Sequence, residues 1–248
     1  MINFSAVSPN PFLGRLVRYP FRILPRNIAV PILQGPLRGK KWIVGSHLHG
    51  CWLGSYEMEM QKRIVREVKR RGIFYDIGAN VGFYSLLAAT LSDPGLVYAF
   101  EPMPTNLYYL RKHLELNRIH NVEVLDMAIS GDVGTASFEV DDGRAMGRLC
   151  ESGSLGVRTS TLDALLGEKK VAPPDCIKMD IEGAEFRALL GAKECFARHR
   201  PKLFLATHGR NVHDQCCQIL QSWHYEVQHM SRQPDSLFAF PRRPNRSQ

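Results

Sequence analysis

The run Asp76-Ile77-Gly78-Ala79-Asn80-Val81-Gly82 carries the clearest chemistry in this chain. Glycine and asparagine are the residues most tolerant of left-handed backbone angles, so the run can turn sharply between a strand and a helix. A nucleotide-binding loop occupies that place in an open α/β sheet. The spacing Gly-x-x-x-Gly departs from the dinucleotide fingerprint Gly-x-Gly-x-x-Gly. An acid two residues before the first glycine would repel a pyrophosphate; it suits a ligand bearing an ammonium or a sulfonium. Glu101 follows Gly82 by 19 residues, at the end of the next apolar run, where a carboxylate can accept both hydroxyls of a ribose. A helix cap or a solvent-facing acid would explain Glu101 alone, but not its spacing from the loop.

A second constellation lies in Ile177-Lys178-Met179-Asp180-Ile181-Glu182-Gly183-Ala184-Glu185. Side chains alternate along a strand, so Lys178 and Asp180 share a face. Glu182 falls on the following turn. Glu185 falls on the first helical turn, where an acid complements the helix dipole, and it is assigned to that role. Thr207-His208-Gly209 places an imidazole just past another apolar run. Asp180, Glu182 and His208 are the candidate catalytic residues, with Asp180 orienting or deprotonating a hydroxyl and His208 the next candidate. The same three could offer oxygen and nitrogen ligands to a divalent ion. No ligand spacing demands one, and the metal-free reading is preferred.

These residues need elements to hold them. Apolar runs at 73–77, 96–100, 122–125, 176–180 and 202–207 read as buried strands. Helical periodicity covers 56–70, 83–91, 104–116, 184–196 and 212–223, with Pro104 in a first turn and Thr161 capping a short helix. A short helix around 12–19 and a strand at 41–44 are also expected. The glycine-rich stretch 135–158 suits a hairpin or an excursion over the sheet, and 225–230 with 237–240 an antiparallel pair. The alternation predicts a doubly wound, mostly parallel α/β sheet with ligands at the carboxyl ends of its strands.

The chain resembles the FkbM family of S-adenosylmethionine-dependent methyltransferases. The resemblance rests on Asp-Ile-Gly-Ala-Asn-Val-Gly, Phe100-Glu101-Pro102, Thr161-Leu162 with Asp163-Ala164-Leu165-Leu166, and the 177–185 segment. Leu53-Gly54-Ser55-Tyr56-Glu57 is similar to a further family element. The resemblance implies a class I (Rossmann-like) fold and, most often, methylation of a hydroxyl on a glycan or natural product. It places Gly78, Ala79, Asn80 and Gly82 under the methionine end of the cofactor S-adenosyl-L-methionine, with Asp76 nearby. Glu101, followed by Pro102, would hold the ribose, Asp126 and Met127 would flank the adenine, and Tyr56 and Glu57 would close over the amino-acid end. Helix capping competes for Glu57. The family usually carries a glutamate two residues before the histidine; this chain has Ala206, which leaves His208 without that acid partner.

Composition bounds the rest. With 248 residues, 44% hydrophobic and 23% charged, the chain is an ordinary globular one, not disordered and not a disulfide scaffold. No run approaches the roughly 18 apolar residues of a membrane span, and the start lacks a secretion signal, so a cytoplasmic protein is expected. Six cysteines without Cys-x-x-Cys spacing read as free thiols. The net charge of +8 is uneven: residues 1–72 hold 13 Lys and Arg against three acids, for a net of +10. A basic, proline-rich extension is therefore assigned to 1–55, followed by a methyltransferase domain at 56–248. A solvated arm is the default for such a segment. Its interleaved apolar and basic residues also suit peripheral membrane contact, and nucleic acid ranks third. The leading expectation is an O-methyltransferase acting on a saccharide, glycan or secondary metabolite. The alternatives are an RNA methyltransferase and a non-catalytic binding protein of the same fold.

Overall fold

The computed structural model describes residue 25 and residues 27–93, 95–140, 147–150, 155–231 and 233–242. The short helix expected around 12–19 lies outside them. Seven strands form the main sheet: β3 (Ile73–Ile77), β4 (Leu96–Phe100), β5 (Val122–Leu125), β10 (Cys176–Met179), β11 (Lys202–Ala206), β12 (Tyr225–Met230) and β13 (Gln233–Pro241). Their spatial order is β12-β13-β11-β10-β3-β4-β5. Strands β11, β10, β3, β4 and β5 are parallel, and β13 runs antiparallel to both β11 and β12. The chain winds outward from β3 to β5, then returns to β10 on the other side of β3. The strand order therefore reverses between β3 and β10, the position where open α/β sheets bind ligands.

Both faces of the central strands are buried, which is why these runs are apolar throughout instead of alternating. Phe74, Val97, Cys176 and Phe204 enter one core with Leu86 and Leu87 of α3 (Phe83–Ser92) and Met60 and Ile64 of α2 (Met58–Glu67). Tyr75, Ile77, Phe100, Ile177, Met179 and Leu205 face the other core, against α6 (Glu185–Leu190), α7 (Lys193–His199) and α8 (Arg210–Ser222). Helix α4 (Pro104–Leu116) covers β4 and β5 through Leu110 and Leu114. The short α5 (Leu162–Gly167) opens with Thr161 accepting from the Ala164 amide at 3.0 Å, the expected cap.

One expectation is corrected. The single helix over 184–196 is two helices, because the chain passes too close to its neighbours at Gly191. A Cβ there would stand 2.6 Å from the Ser130 carbonyl oxygen and 3.0 Å from Thr161 Cβ. Buried residues before and after position 55 share one core. Strands β1 (Ala29–Pro31) and β2 (Lys41–Ile43) form an antiparallel hairpin, followed by α1 (His49–Leu53). Ile32, Leu37, Trp42, Val44, Cys51, Trp52 and Leu53 are buried in the same core as α3. The prolines that exclude a long helix here do not exclude a hairpin.

The excursion after β5 is a separate four-stranded sheet in the order β6-β9-β7-β8. It comprises β6 (Ala128–Ile129), β7 (Gly134–Val140), β8 (Gly147–Cys150) and β9 (Leu155–Ser160), with β7 paired antiparallel to both β8 and β9. The five cysteines whose side chains are described are free. No helix among the described residues is long and apolar enough to cross a membrane.

Candidate active site

The loop 78–82 leaves β3 at the reversal of strand order. Gly78, Asn80 and Gly82 all take positive φ, at 77°, 50° and 89°. Gly78 is constrained by space as well, since a Cβ would overlap the Asp180 carbonyl oxygen. The amides of Gly78 and Ala79 both donate to the Phe100 carbonyl at 3.0 Å, tying the loop to the end of β4. Glu101 then clamps it. Its Oε2 accepts from the Asn80 amide at 2.8 Å, and its Oε1 accepts from the Met103 amide at 2.9 Å and Asn106 Nδ2 at 3.2 Å. Burial pushes the Glu101 carboxyl up, while these three donors hold it down. A carboxylate offers about four acceptor positions, so one remains for a ligand hydroxyl.

Beneath the loop lies a buried charge centre. The parallel register sets Lys178 on β10 directly beside Asp76 on β3. Asp76 is fully buried; its Oδ2 accepts from Ser85 Oγ at 2.6 Å and its Oδ1 has no hydrogen-bond partner among the described residues. Lys178 Nζ lies 3.3 Å from Asp180 Oδ2 and 5.2 Å from the centre of the Tyr84 ring. Burial alone would lower the Lys178 ammonium, but Asp180, Asp76 and Glu57 together raise it. Burial pushes Asp76 and Glu57 up, against the pull of Lys178. Three carboxylates thus surround one ammonium, and the excess is negative.

Glu57 and Tyr56 border this centre. Glu57 stands at the N-cap of α2 with φ 40°, yet its side chain makes no cap hydrogen bond. Its Oε2 accepts from Tyr84 Oη at 2.5 Å, which removes the capping explanation. Tyr56 packs edge-on against Phe83 at 5.2 Å and His47 at 5.7 Å.

On the far side of Asp180 the second constellation closes up. His208 Nδ1 lies 2.8 Å from Glu185 Oε1, and Nε2 lies 3.6 Å from Asp180 Oδ1 and 3.4 Å from Glu182 Oε2. The hydrogen bond to Glu185 pushes His208 up to about 9 against its partial burial. Burial likewise raises Glu182. Glu185 does serve the helix start, its Oε1 accepting from the Gly183 amide at 3.0 Å, but it is also the acid partner of His208. The carboxylate missing at Ala206 on β11 is supplied from α6. Glu182 takes φ 53°, which turns its carboxylate back toward the imidazole.

The remaining expected residues stand apart from this cluster. Pro102 is half-buried behind Glu101, and Met127 packs partly into the second core. Asp126 is exposed and pairs with Arg111 at 2.5 Å. Sequence reasoning missed Tyr84 and Ser85, whose signal was a pair of polar-tipped residues in the otherwise apolar first turn of α3.

A reversal-point glycine loop, a buried acid after the second strand and an antiparallel C-terminal pair define the Rossmann-like class I methyltransferase fold. The chain belongs to the FkbM methyltransferase family, since the family model described as the methyltransferase FkbM domain matches residues 76–227, more than half of the sequence. Among curated relatives, the hexuronic acid methyltransferase AglP of Haloferax volcanii is 27% identical over 137 residues, covering 54% of this chain and 56% of that protein. The tRNA 4-demethylwyosine(37)-methyltransferase Taw21 of Saccharolobus solfataricus is 31% identical over 80 residues, covering 32% of this chain and 29% of that protein. The chain thus spans little more than half the length of the first relative and less of the second. Among solved structures, the methyltransferase FkbM of Methylobacillus flagellatus superposes with a TM-score of 0.51 at 19% identity, over 78% of this chain and 55% of that one.

Proposed function

We propose that the protein transfers a methyl group from S-adenosylmethionine to a hydroxyl of a saccharide, glycan or secondary metabolite. The observation that carries this reading is the convergence of two unlike sites on one sheet edge. The 78–82 loop and Glu101 form one, the Asp180–Glu182–His208 cluster the other, and Gly78 packs against the backbone of Asp180 between them. The donor set fits the cofactor. The surplus of negative charge from Glu57, Asp76 and Asp180 over Lys178 favours a cationic ligand, and Glu101 keeps one acceptor position for a ribose hydroxyl.

When bound, the cofactor supplies an electrophilic methyl group on a positively charged sulfur. An acceptor hydroxyl held beside that methyl group would take it with release of the neutral thioether, and its proton would pass to the acidic cluster of Asp180, Glu182 and His208. Asp180 orients the hydroxyl, because Lys178 engages its Oδ2 and leaves Oδ1 turned toward His208 in the cluster. The protein's main contribution is positioning and exclusion of water. The similarity to AglP supports a saccharide acceptor, and the shorter similarity to Taw21 makes RNA the acceptor to test beside it.

Calorimetry with S-adenosylhomocysteine should show one site per chain, and absence of binding would sink the cofactor assignment. Asp180→Asn should keep that binding and lower methyl transfer by about 10²–10⁴-fold. Incubation with labelled cofactor should mark a hexuronic-acid glycoside or a glycan extract; label confined to total RNA would replace the saccharide reading.

A further inference from the structure

We infer that Asp180, Glu182 and His208 form a binding site for a first-row divalent cation, with three protein ligands and open positions toward the acceptor. The inference deepens the functional reading above, since it concerns the acceptor half of that same site. It starts from what faces what. Glu185 is fully buried and holds His208 by Nδ1, so Nε2 is the nitrogen turned to the cluster. Asp180 Oδ2 is engaged by Lys178, so Oδ1 is the oxygen turned to it. Glu182 Oε2 completes the set, and one ligand atom from each of the three residues lies within 4.8 Å of the others.

The separations point to a metal and away from a simple ion pair. A charged N–H···O hydrogen bond would close to about 2.7–2.9 Å. Nε2 instead stands 3.6 Å from Asp180 and 3.4 Å from Glu182, and makes no hydrogen bond to a described residue. Two ligand atoms each about 2.1 Å from a common cation lie about 3.0 Å apart at right angles and about 3.4 Å apart at the tetrahedral angle. The two separations from Nε2 are therefore close to those between ligands around an ion. Its histidine is oriented from behind by a buried carboxylate, the arrangement that fixes metal-bound imidazoles elsewhere. One nitrogen and two carboxylates suit Mn²⁺ or Zn²⁺ better than the all-oxygen preference of Ca²⁺. Held there, the cation would bind the acceptor oxygen and lower the pKa of its hydroxyl, which supplies the activation that methyl transfer to an alcohol requires.

The test uses the full chain stripped of metal and titrated with MnCl₂, read by electron paramagnetic resonance of free Mn²⁺. One site per chain is expected, weakened at least about tenfold in Glu182→Gln and His208→Asn, and by a similar factor in Glu185→Gln through loss of the histidine's support. Circular dichroism and S-adenosylhomocysteine calorimetry, both in metal-free buffer, show whether each variant is folded and whether the cofactor site stands independently. Should Mn²⁺ fail to bind the wild type at millimolar concentration, or bind equally to Glu182→Gln and His208→Asn, the metal site is overturned. The cofactor assignment is then judged separately by the calorimetry.

Discussion

Gly78 shows how one position serves two functions. Its left-handed φ turns the chain out of β3, and its missing side chain lets the loop rest on the Asp180 backbone, so the 78–82 loop and the end of β10 share a contact. Gly78→Ala should therefore cost at least about 2 kcal/mol in urea unfolding and weaken S-adenosylhomocysteine binding, since a Cβ is strained by angle and by overlap together. An unchanged unfolding midpoint would refute that constraint. The sequence made this glycine legible through its motif, and Glu101 through its spacing. The partnership of Glu185 with His208 was not legible: 23 residues separate them, and only the pairing of β10 with β11 brings the start of α6 beside the end of β11. Local periodicity placed Glu185 correctly at a helix start, but it carries no information about what lies across a sheet edge.

At the level of elements, His113 of α4 ties the β1–β2 hairpin to the 78–82 loop. Its ring stacks on Trp42 at 3.8 Å, Nδ1 lies 2.8 Å from the Val81 carbonyl, and Nε2 accepts from the Ile43 amide at 3.1 Å. These roles require the neutral imidazole with its proton on Nδ1, and burial lowers His113 to about 4. The unfolded chain takes up this proton near the ordinary histidine value of 6.5, whereas the folded chain resists until about 4. This contribution is therefore full above pH 6.5 and declines as the pH falls toward 4, by on the order of 3 kcal/mol. Glu57, Asp76 and Glu101, raised by burial, act in the opposite direction over the acid range, so the comparison must be made by difference. In urea unfolding, His113→Gln should be the less stable protein at pH 7.5, and its deficit should shrink by pH 4.5. A deficit constant with pH would place the interaction elsewhere. From sequence, His113 was only one polar position on an amphipathic helix; its partners sit 32 and 70 residues away.

For the whole molecule, the uneven charge acquires a different meaning once the fold is known. Nine of the 13 basic residues in the first 72 lie among the described residues, on the β1–β2 hairpin and on α2 with the turn after it. Part of this basicity is used within the fold: Arg63 lies 4.1 Å from the centre of the Phe238 ring, and its Nη2 donates to Gln228 at 3.0 Å. The seven apolar side chains buried between Ile32 and Leu53 are each worth about 1.5–3 kcal/mol on burial, together comparable to the whole stability of a typical domain. A chain starting at residue 56 should accordingly fail to give a cooperative thermal transition. A transition like that of the full chain would support the boundary at 55. The sequence by itself determined the central alternation of strands and helices, the glycine loop at 78–82 and the two acidic motifs, because each is written in neighbouring residues through periodicity, turn chemistry and spacing. Only the tertiary structure decided that the N-terminal hairpin belongs to the core, that Lys178 is buried among three carboxylates, and that α6 supplies the acid for His208. Those outcomes depend on strand register and on packing between segments far apart in the chain, which a one-dimensional pattern does not encode.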